Sequence, residues 1–306
     1  MVIDAHQHFW DPARADYPWM DAPELAPIRR AFGPADLAPL LKANGIDASI
    51  VVQCRSALEE TEEFLRIAHA TPSVVGVVGW VDLTDGALGD TLDRLRAAPG
   101  GDKLVGIRHQ VHDEADPDWL LREDVRRGLV ALFVRDLTYD FLVRTRELPA
   151  AIATAQAFPN ARFVLDHAAK PPIASGGSAE WADRIKALAA CGNVWCKISG
   201  LATEAVWSDW DADRLLPFVQ HAATCFGEDR LIFGSDWPVC LLAGSYAEIK
   251  GALEACLAKL GPGARDKAFG MNAKAAYRLA IAKAELAPTK VSSRPSAQLR
   301  TGGRDP

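Results

Sequence analysis

Short runs rich in β-branched residues recur along the chain at intervals too long for hairpins: VIDAHQHF, ASIVVQC, VVGVVGWV, KLVGIRHQV, LTYD, RFVLDHAAKP, NVWCKISG and RLIFGSDWP. Between most of them the apolar residues change to a spacing of three and four, the signature of an amphipathic helix. PADLAPLLKANG stops at Gly45, EETEEFLRIAHATP stops against Pro72, and RELPAAIATAQAFPN stops against Pro159. GALGDTLDRLRAAPG and SAEWADRIKALAACG carry the same pattern. Eight strands alternating with helices imply parallel pairing through right-handed crossovers, and near-continuous apolar strands imply burial on both faces. The economical architecture is a single (β/α)8 barrel over residues 1–283. A doubly wound sheet would need a Gly-rich phosphate turn between an early strand and its helix, whereas the glycines of PGGDK and ASGGS fall in polar loops.

Two stretches fit the alternation poorly. Residues 10–33, with YPWMDAPELAP, read as a long loop over the barrel mouth, and LTYD is a weak fifth strand. Residues 284–306 lose apolar periodicity and gain Ser, Pro, Gly and Arg, the composition of a disordered tail.

Composition narrows the class. With 306 residues, 49% of them hydrophobic, the chain can bury one large core. A net charge of −6 gives no footing for nucleic acid or an anionic membrane. The six cysteines are scattered without CxxC spacing, as expected of reduced thiols in a cytoplasmic protein. No apolar stretch approaches the ~20 residues of a membrane span, and the N-terminus has no export signal pattern. The expected partner is a small molecule; a homo-oligomer is compatible with everything in the sequence.

Candidate chemistry gathers where strands give way to loops, the C-terminal face on which barrels of this kind carry their sites. His6 and His8 are two apart on the first strand and face one way. Later strand ends carry Gln53, Trp80, Asp82, Arg108, His109, Tyr139, Asp140, Asp166, His167, Lys170, Lys197, Asp236 and Trp237. Four of the seven histidines stand at these positions. His69 and His221 lie inside helical patterns and read as structural.

The set His6-x-His8, His167 and Asp236 resembles the metal and catalytic positions of the amidohydrolase superfamily. HQHFW, YPW, VVGWVDL, GIRHQV, YDFLV, LDHAAKP, KISGL and FGSDWPVC, in that order from about residue 2 to about 280, are similar to its sugar-lactonase group. The resemblance implies hydrolysis of an aldonolactone ester, such as an L-fucono- or L-rhamnono-lactone. It departs from binuclear members, because Arg108 and His109, then Tyr139 and Asp140, stand where a bridging residue and a further histidine ligand would be. His6, His8, His167 and Asp236 remain as a set for one optional Zn²⁺. Asp236 is then the base for the attacking water, His167 its catalytic partner, and Gln53, Trp80, Arg108, His109, Tyr139, Lys170 and Trp237 the substrate contacts, with Trp10 and Trp19 as further ring faces. A serine nucleophile is disfavoured, since no GxSxG occurs and neither Ser199 nor Ser235 has a base nearby in sequence. The alternatives are a metal-dependent superfamily hydrolase or decarboxylase acting on another small substrate, or a non-catalytic barrel that binds a sugar acid.

Overall fold

A computed structural model describes residues 1–280; the expected tail at 284–306 lies outside the described residues. Eight strands form one parallel sheet in sequential order: β1 (Ile3–Gln7), β2 (Ala48–Val52), β3 (Val74–Gly79), β4 (Leu104–His109), β5 (Thr138–Phe141), β6 (Phe163–Leu165), β7 (Val194–Lys197) and β8 (Leu231–Ile232). The short β8 closes on β1 through the residues that follow it: Ala5 N–H donates to the Phe233 carbonyl (3.1 Å), Asp236 N–H to that of His6 (2.8 Å), and His8 N–H to that of Trp237 (2.7 Å).

The helices are α1 (Pro34–Ala43), α2 (Leu58–Ala70), α3 (Leu88–Ala97), α4 (Glu123–Phe133), α5 (Leu148–Ala157), α6 (Ala179–Ala189), α7 (Ala212–Phe226) and α8 (Tyr246–Ala258). Each of the five helix patterns singled out in the sequence is present; α4, α7 and α8 complete the ring. Gly45 follows α1 with φ +65°, the left-handed position at which a glycine ends a helix without Cβ strain. LTYD is a strand after all, because β5 is wholly buried between β4 and β6 and tertiary burial outweighs its weak propensity.

Two apolar cores follow from strand alternation. One lies between strands and helices; the other, with Ile3, Ala5, Ile50, Val52, Val78, Val164 and Ile232, fills the barrel. Ala273, Ala276 and Tyr277 of the last helix, α10 (Asn272–Tyr277, after the short α9, Ala264–Asp266), join this inner core at the end where the strands begin. Residues 10–33 form two 3-10 turns that bury Met20 and Ile28, pinned where Trp10 pairs with Phe32 and donates its indole N–H to the Ile28 carbonyl (3.1 Å). All six cysteines are unpaired. No described helix is long and apolar enough to cross a membrane.

Candidate active site

Strand β1 delivers both imidazoles, but not by simple alternation. Ile3 and Ala5 point into the barrel, and the β1–β2 register shifts between Asp4 and Gln7. Such an irregularity re-aims a side chain at the end of a strand. His6 and His8 consequently lie together, ring centroids 4.9 Å apart, and the His167 ring is 4.5 Å from His6.

His167 and Asp236 both sit on left-handed backbone. His167, Ala168, Ala169 and Lys170 have φ of 53°, 48°, 58° and 52°, and Asp236 has 59°. Each such non-glycine residue costs about 1–2 kcal/mol, so the surroundings must hold these turns in place. Trp181 of α6 donates its indole N–H to the Ala168 carbonyl (2.8 Å). On the β8 side, Asp4 accepts from Ser235 N–H (2.8 Å), Ser235 Oγ (2.6 Å), Tyr246 Oη (2.9 Å) and His6 N–H (3.2 Å), while Trp237 N–H donates to Ser235 Oγ (3.0 Å).

His6, His167 and Asp236 can each direct one donor atom to a common point, all three within 4.8 Å of one another. His8 stands beside this trio rather than within it, its Nε2 3.2 Å from Asp236 Oδ1. Hydrogen bonding fixes the imidazole tautomers. Arg108 Nη1 can only donate, so the His6 Nε2 it approaches (3.2 Å) carries a lone pair. His8 Nδ1 lies 2.7 Å from the Val52 carbonyl, which accepts only, so its Nε2 also presents a lone pair when the ring is neutral.

Burial lowers His6 far below the ordinary imidazole value, with Lys197 adding to the effect against the pull of Asp166; burial does the same to His167 against the pull of Asp236. Burial alone would raise the Asp236 carboxyl, but His167, the His8 hydrogen bond and Lys170 more than offset it and hold it below its usual range. The result is two neutral imidazoles around an ionised carboxylate, which are the protonation states a divalent ion requires. The donor set fits one such ion.

Beneath the trio runs a buried charge network. Asp166 takes Arg108 Nη1 (2.9 Å) on Oδ2 and Lys197 Nζ (2.9 Å) on Oδ1, with His6 Nδ1 at 3.4 Å. Asp140 Oδ2 takes Lys197 Nζ (2.7 Å) and Tyr277 Oη (2.6 Å). Burial raises Asp140 to about 6 against the attraction of Lys197, whereas for Asp166 the charge of Lys197, the contact with the His6 ring and the charge of Arg108 overcome burial and lower it well below its usual range.

Several residues expected to meet the substrate do something else. Tyr139 is fully buried in the shell between strands and helices, edge-on to Phe141, because its neighbour Asp140 takes the inward position. Gln53 is enclosed and donates to the Arg108 carbonyl (3.2 Å). Trp237 is packed edge-on against Phe9 and Phe32, and Trp10 likewise against Trp19 and Phe32. Arg108 spends its guanidinium on Asp166, His6 and the Gln53 carbonyl, so it positions His6 from below. His109 accepts from the Trp80 indole (3.0 Å) at Nδ1, donates to Glu114 (2.8 Å) from Nε2 and stacks on Trp119 at 4.1 Å, leaving neither nitrogen for a ligand. Trp80 and Lys170 are half-buried, Trp80 with its indole N–H on His109 and Lys170 with its ammonium on Glu204 (3.0 Å).

The sequence reading passed over three contributors, Gly200, Gly234 and Asp4, and weighed Ser199 only as a nucleophile. Gly200 has φ +65°, and a Cβ there would lie 2.5 Å from His167 Nδ1; one on Gly234 would lie 2.4 Å from His6 Cβ. Asp4 organises the turn carrying Asp236. Ser199 Oγ lies 3.0 Å from His167 Nδ1, a base that separation in sequence concealed, but Ser199 is fully buried and orients the ring. KISG and FGSD held the only visible signals, glycines two or three residues after strands.

The amidohydrolase family model matches residues 3–279. The chain is 43% identical over 281 residues to a protein named L-fucono-1,5-lactonase from Burkholderia ambifaria, covering 90% of this chain and 95% of that one. A second protein of that name, from Burkholderia multivorans, is 38% identical over 291 residues, covering 90% and 96%. A crystal structure of an amidohydrolase from Burkholderia multivorans with bound zinc superimposes with a TM-score of 0.87 at 37% identity, covering 91% of this chain and 99% of that one.

Proposed function

The chain belongs to the amidohydrolase family, and on that premise we propose that it hydrolyses the ester of an aldonolactone by attack of a water that Asp236 deprotonates. The observation that carries the reading is the convergence of the buried Asp236 carboxylate with the His6 and His167 imidazoles, their donor atoms within 4.8 Å of one another, at the mouth of the barrel. Two relatives that match over nine-tenths of this chain are named L-fucono-1,5-lactonases, which puts L-fucono-1,5-lactone first among substrates and L-rhamnono-lactone after it.

Lactone opening needs a base for the water, positive charge at the carbonyl oxygen as it becomes an oxyanion, and a proton for the departing ring oxygen. Asp236 takes the water proton and returns it to the ring oxygen. In the neutral tautomers described, His6 and His8 present a lone pair rather than an N–H at Nε2, the nitrogen nearer Asp236, which suits ligands better than oxyanion donors. His6, His167 and Asp236, with His8 alongside, would hold one divalent ion, which supplies positive charge for water deprotonation and for the oxyanion. Lys170, whose ammonium is held by Glu204 (3.0 Å), is the donor placed for the substrate hydroxyls, and Trp80 offers a ring face.

The test is a panel of aldono-1,4- and 1,5-lactones followed by pH indicator, run on zinc-loaded and chelator-treated protein. Acid release from at least one aldonolactone supports the reading. Turnover of none of them by zinc-loaded protein rejects it, and acid release that persists unchanged after chelation rejects the metal's part in it.

A further inference from the structure

Above the trio, three loops meet at one carboxylate. Glu204, on the turn after β7, takes Lys170 Nζ from the β6 loop on Oε1 (3.0 Å) and faces Arg144 Nη1 from the β5 loop with Oε2 (3.6 Å). Lys170 and Glu204 are half-buried, whereas Arg144 is 54% exposed. Lys170 belongs to the mouth electrostatically, since its ammonium is among the charges acting on Asp236, His167 and His112; Arg144 acts on His112 as well.

From this bridge we infer that Glu204 is a specificity residue that selects neutral polyhydroxy lactones and rejects ligands bearing a carboxylate, including the reaction's own product. The inference rests on the lactonase reading of the same site. A neutral sugar ring meets both an acceptor, Glu204, and a donor, Lys170, whose positions are mutually fixed. A carboxylate entering the same space is attracted by Lys170 and Arg144, but Glu204 already takes up one of these two positive charges and repels the newcomer. Like charges placed together at a half-buried site discriminate between ligands, more by repelling the wrong one than by attracting the right one. Hydrolysis turns a neutral lactone into an open-chain carboxylate, so the same repulsion favours product departure.

The experiment compares the zinc-loaded parent with Glu204→Gln, which keeps the side-chain shape and an oxygen acceptor for Lys170 while removing the charge, and with Lys170→Gln, which changes the charge oppositely. Hydrolysis of the best neutral aldonolactone is measured beside that of glucaro-1,4-lactone, and potassium gluconate binding is followed by calorimetry. Glu204→Gln is expected to shift the neutral-to-anionic ratio of kcat/KM towards the anionic lactone by about tenfold and to tighten gluconate binding by about tenfold, the gain disappearing in high salt. Lys170→Gln is expected to weaken gluconate binding. A folded Glu204→Gln protein whose ratio and gluconate affinity both stay within twofold of the parent overturns the inference, as does absence of gluconate binding in every variant. Because gluconate binding requires no turnover, failure of the lactonase reading shows separately, as a parent inactive on all lactones.

Discussion

His8 Nε2 lies 3.2 Å from Asp236 Oδ1 while Nδ1 of the same ring lies 2.7 Å from the Val52 carbonyl. In a neutral ring the single proton goes to the carbonyl, which leaves a lone pair against a carboxylate. A cation or a further proton must stand between them. Zinc-loaded protein is therefore expected to hold one zinc per chain by elemental analysis, and His8→Ala to weaken zinc binding by about 10–100-fold, as loss of a neighbouring orienting group does in other metal sites. Two zinc ions per chain, or equal affinity in the variant, would count against this arrangement.

Asp236 and Ser199 make opposite demands on mutagenesis. Asp236→Asn keeps the shape but cannot accept the water proton, so kcat/KM on the best lactone is expected to fall by about 10²–10⁴. Ser199→Ala removes a hydroxyl that orients His167 without reaching the mouth, and is expected to cost far less. Steady-state rates on both variants decide the matter: an inactive Ser199→Ala beside an active Asp236→Asn would make the serine the nucleophile.

How much of this could be read in the sequence follows from which residues act locally. The barrel was legible because parallel strands buried on both faces write themselves as apolar runs, and His6, His8, His167 and Asp236 because they stand where those runs end. Gln53, Arg108, Tyr139 and Trp237 stand at strand ends too, but their roles depend on partners far along the chain, and that of His109 on the loops that bring Trp80, Glu114 and Trp119 around it. Arg108 is spent on an aspartate 58 residues away, and Tyr139 on a shell of helices. Strand alternation gives a side chain's face only while the register is regular, and β1 breaks it. Glu204 carried no signal, since a carboxylate on a surface turn becomes informative only when two other loops bring cations to it.

Acid should destabilise the metal-free protein well above the carboxylate range. His6 and His167 are held below the ordinary imidazole value in the fold, so on acidification from about pH 6.5 the unfolded chain takes up protons that the folded chain refuses. Their contribution to stability is complete above 6.5 and is lost as pH falls towards their lowered folded values, at ~1.4 kcal/mol per pH unit for each proton of difference. Asp140, raised to about 6, works in the opposite sense between there and the unfolded carboxylate value, and offsets part of the loss at lower pH. Urea midpoints of chelator-treated protein are expected to be level above pH 7 and to decline below 6.5. Midpoints that stay level down to pH 5 would show that these imidazoles are not held neutral.

Two glycines with the same backbone demand separate strain from site geometry. Gly200 has φ +65° and Gly176 has φ +85°, so alanine at either pays the left-handed penalty of about 1–2 kcal/mol. At Gly176 an added Cβ meets nothing within 4 Å, whereas at Gly200 it lies 2.5 Å from His167 Nδ1 and 3.1 Å from Asp236 Oδ2. The His167 ring must then move, and with it one of the three atoms that converge on the ion. Both variants are expected to lose a few degrees in Tm, on the scale that about 1 kcal/mol produces in a chain of this size. Only Gly200→Ala is expected to lose zinc affinity and lower kcat/KM by more than about 100-fold, a 1 Å misplacement being enough for such a loss. Thermal melts, zinc content and turnover measured on the pair give the comparison. If Gly200→Ala keeps zinc and turnover within a few fold of Gly176→Ala, His167 is not held where the reaction needs it by the space that Gly200 leaves.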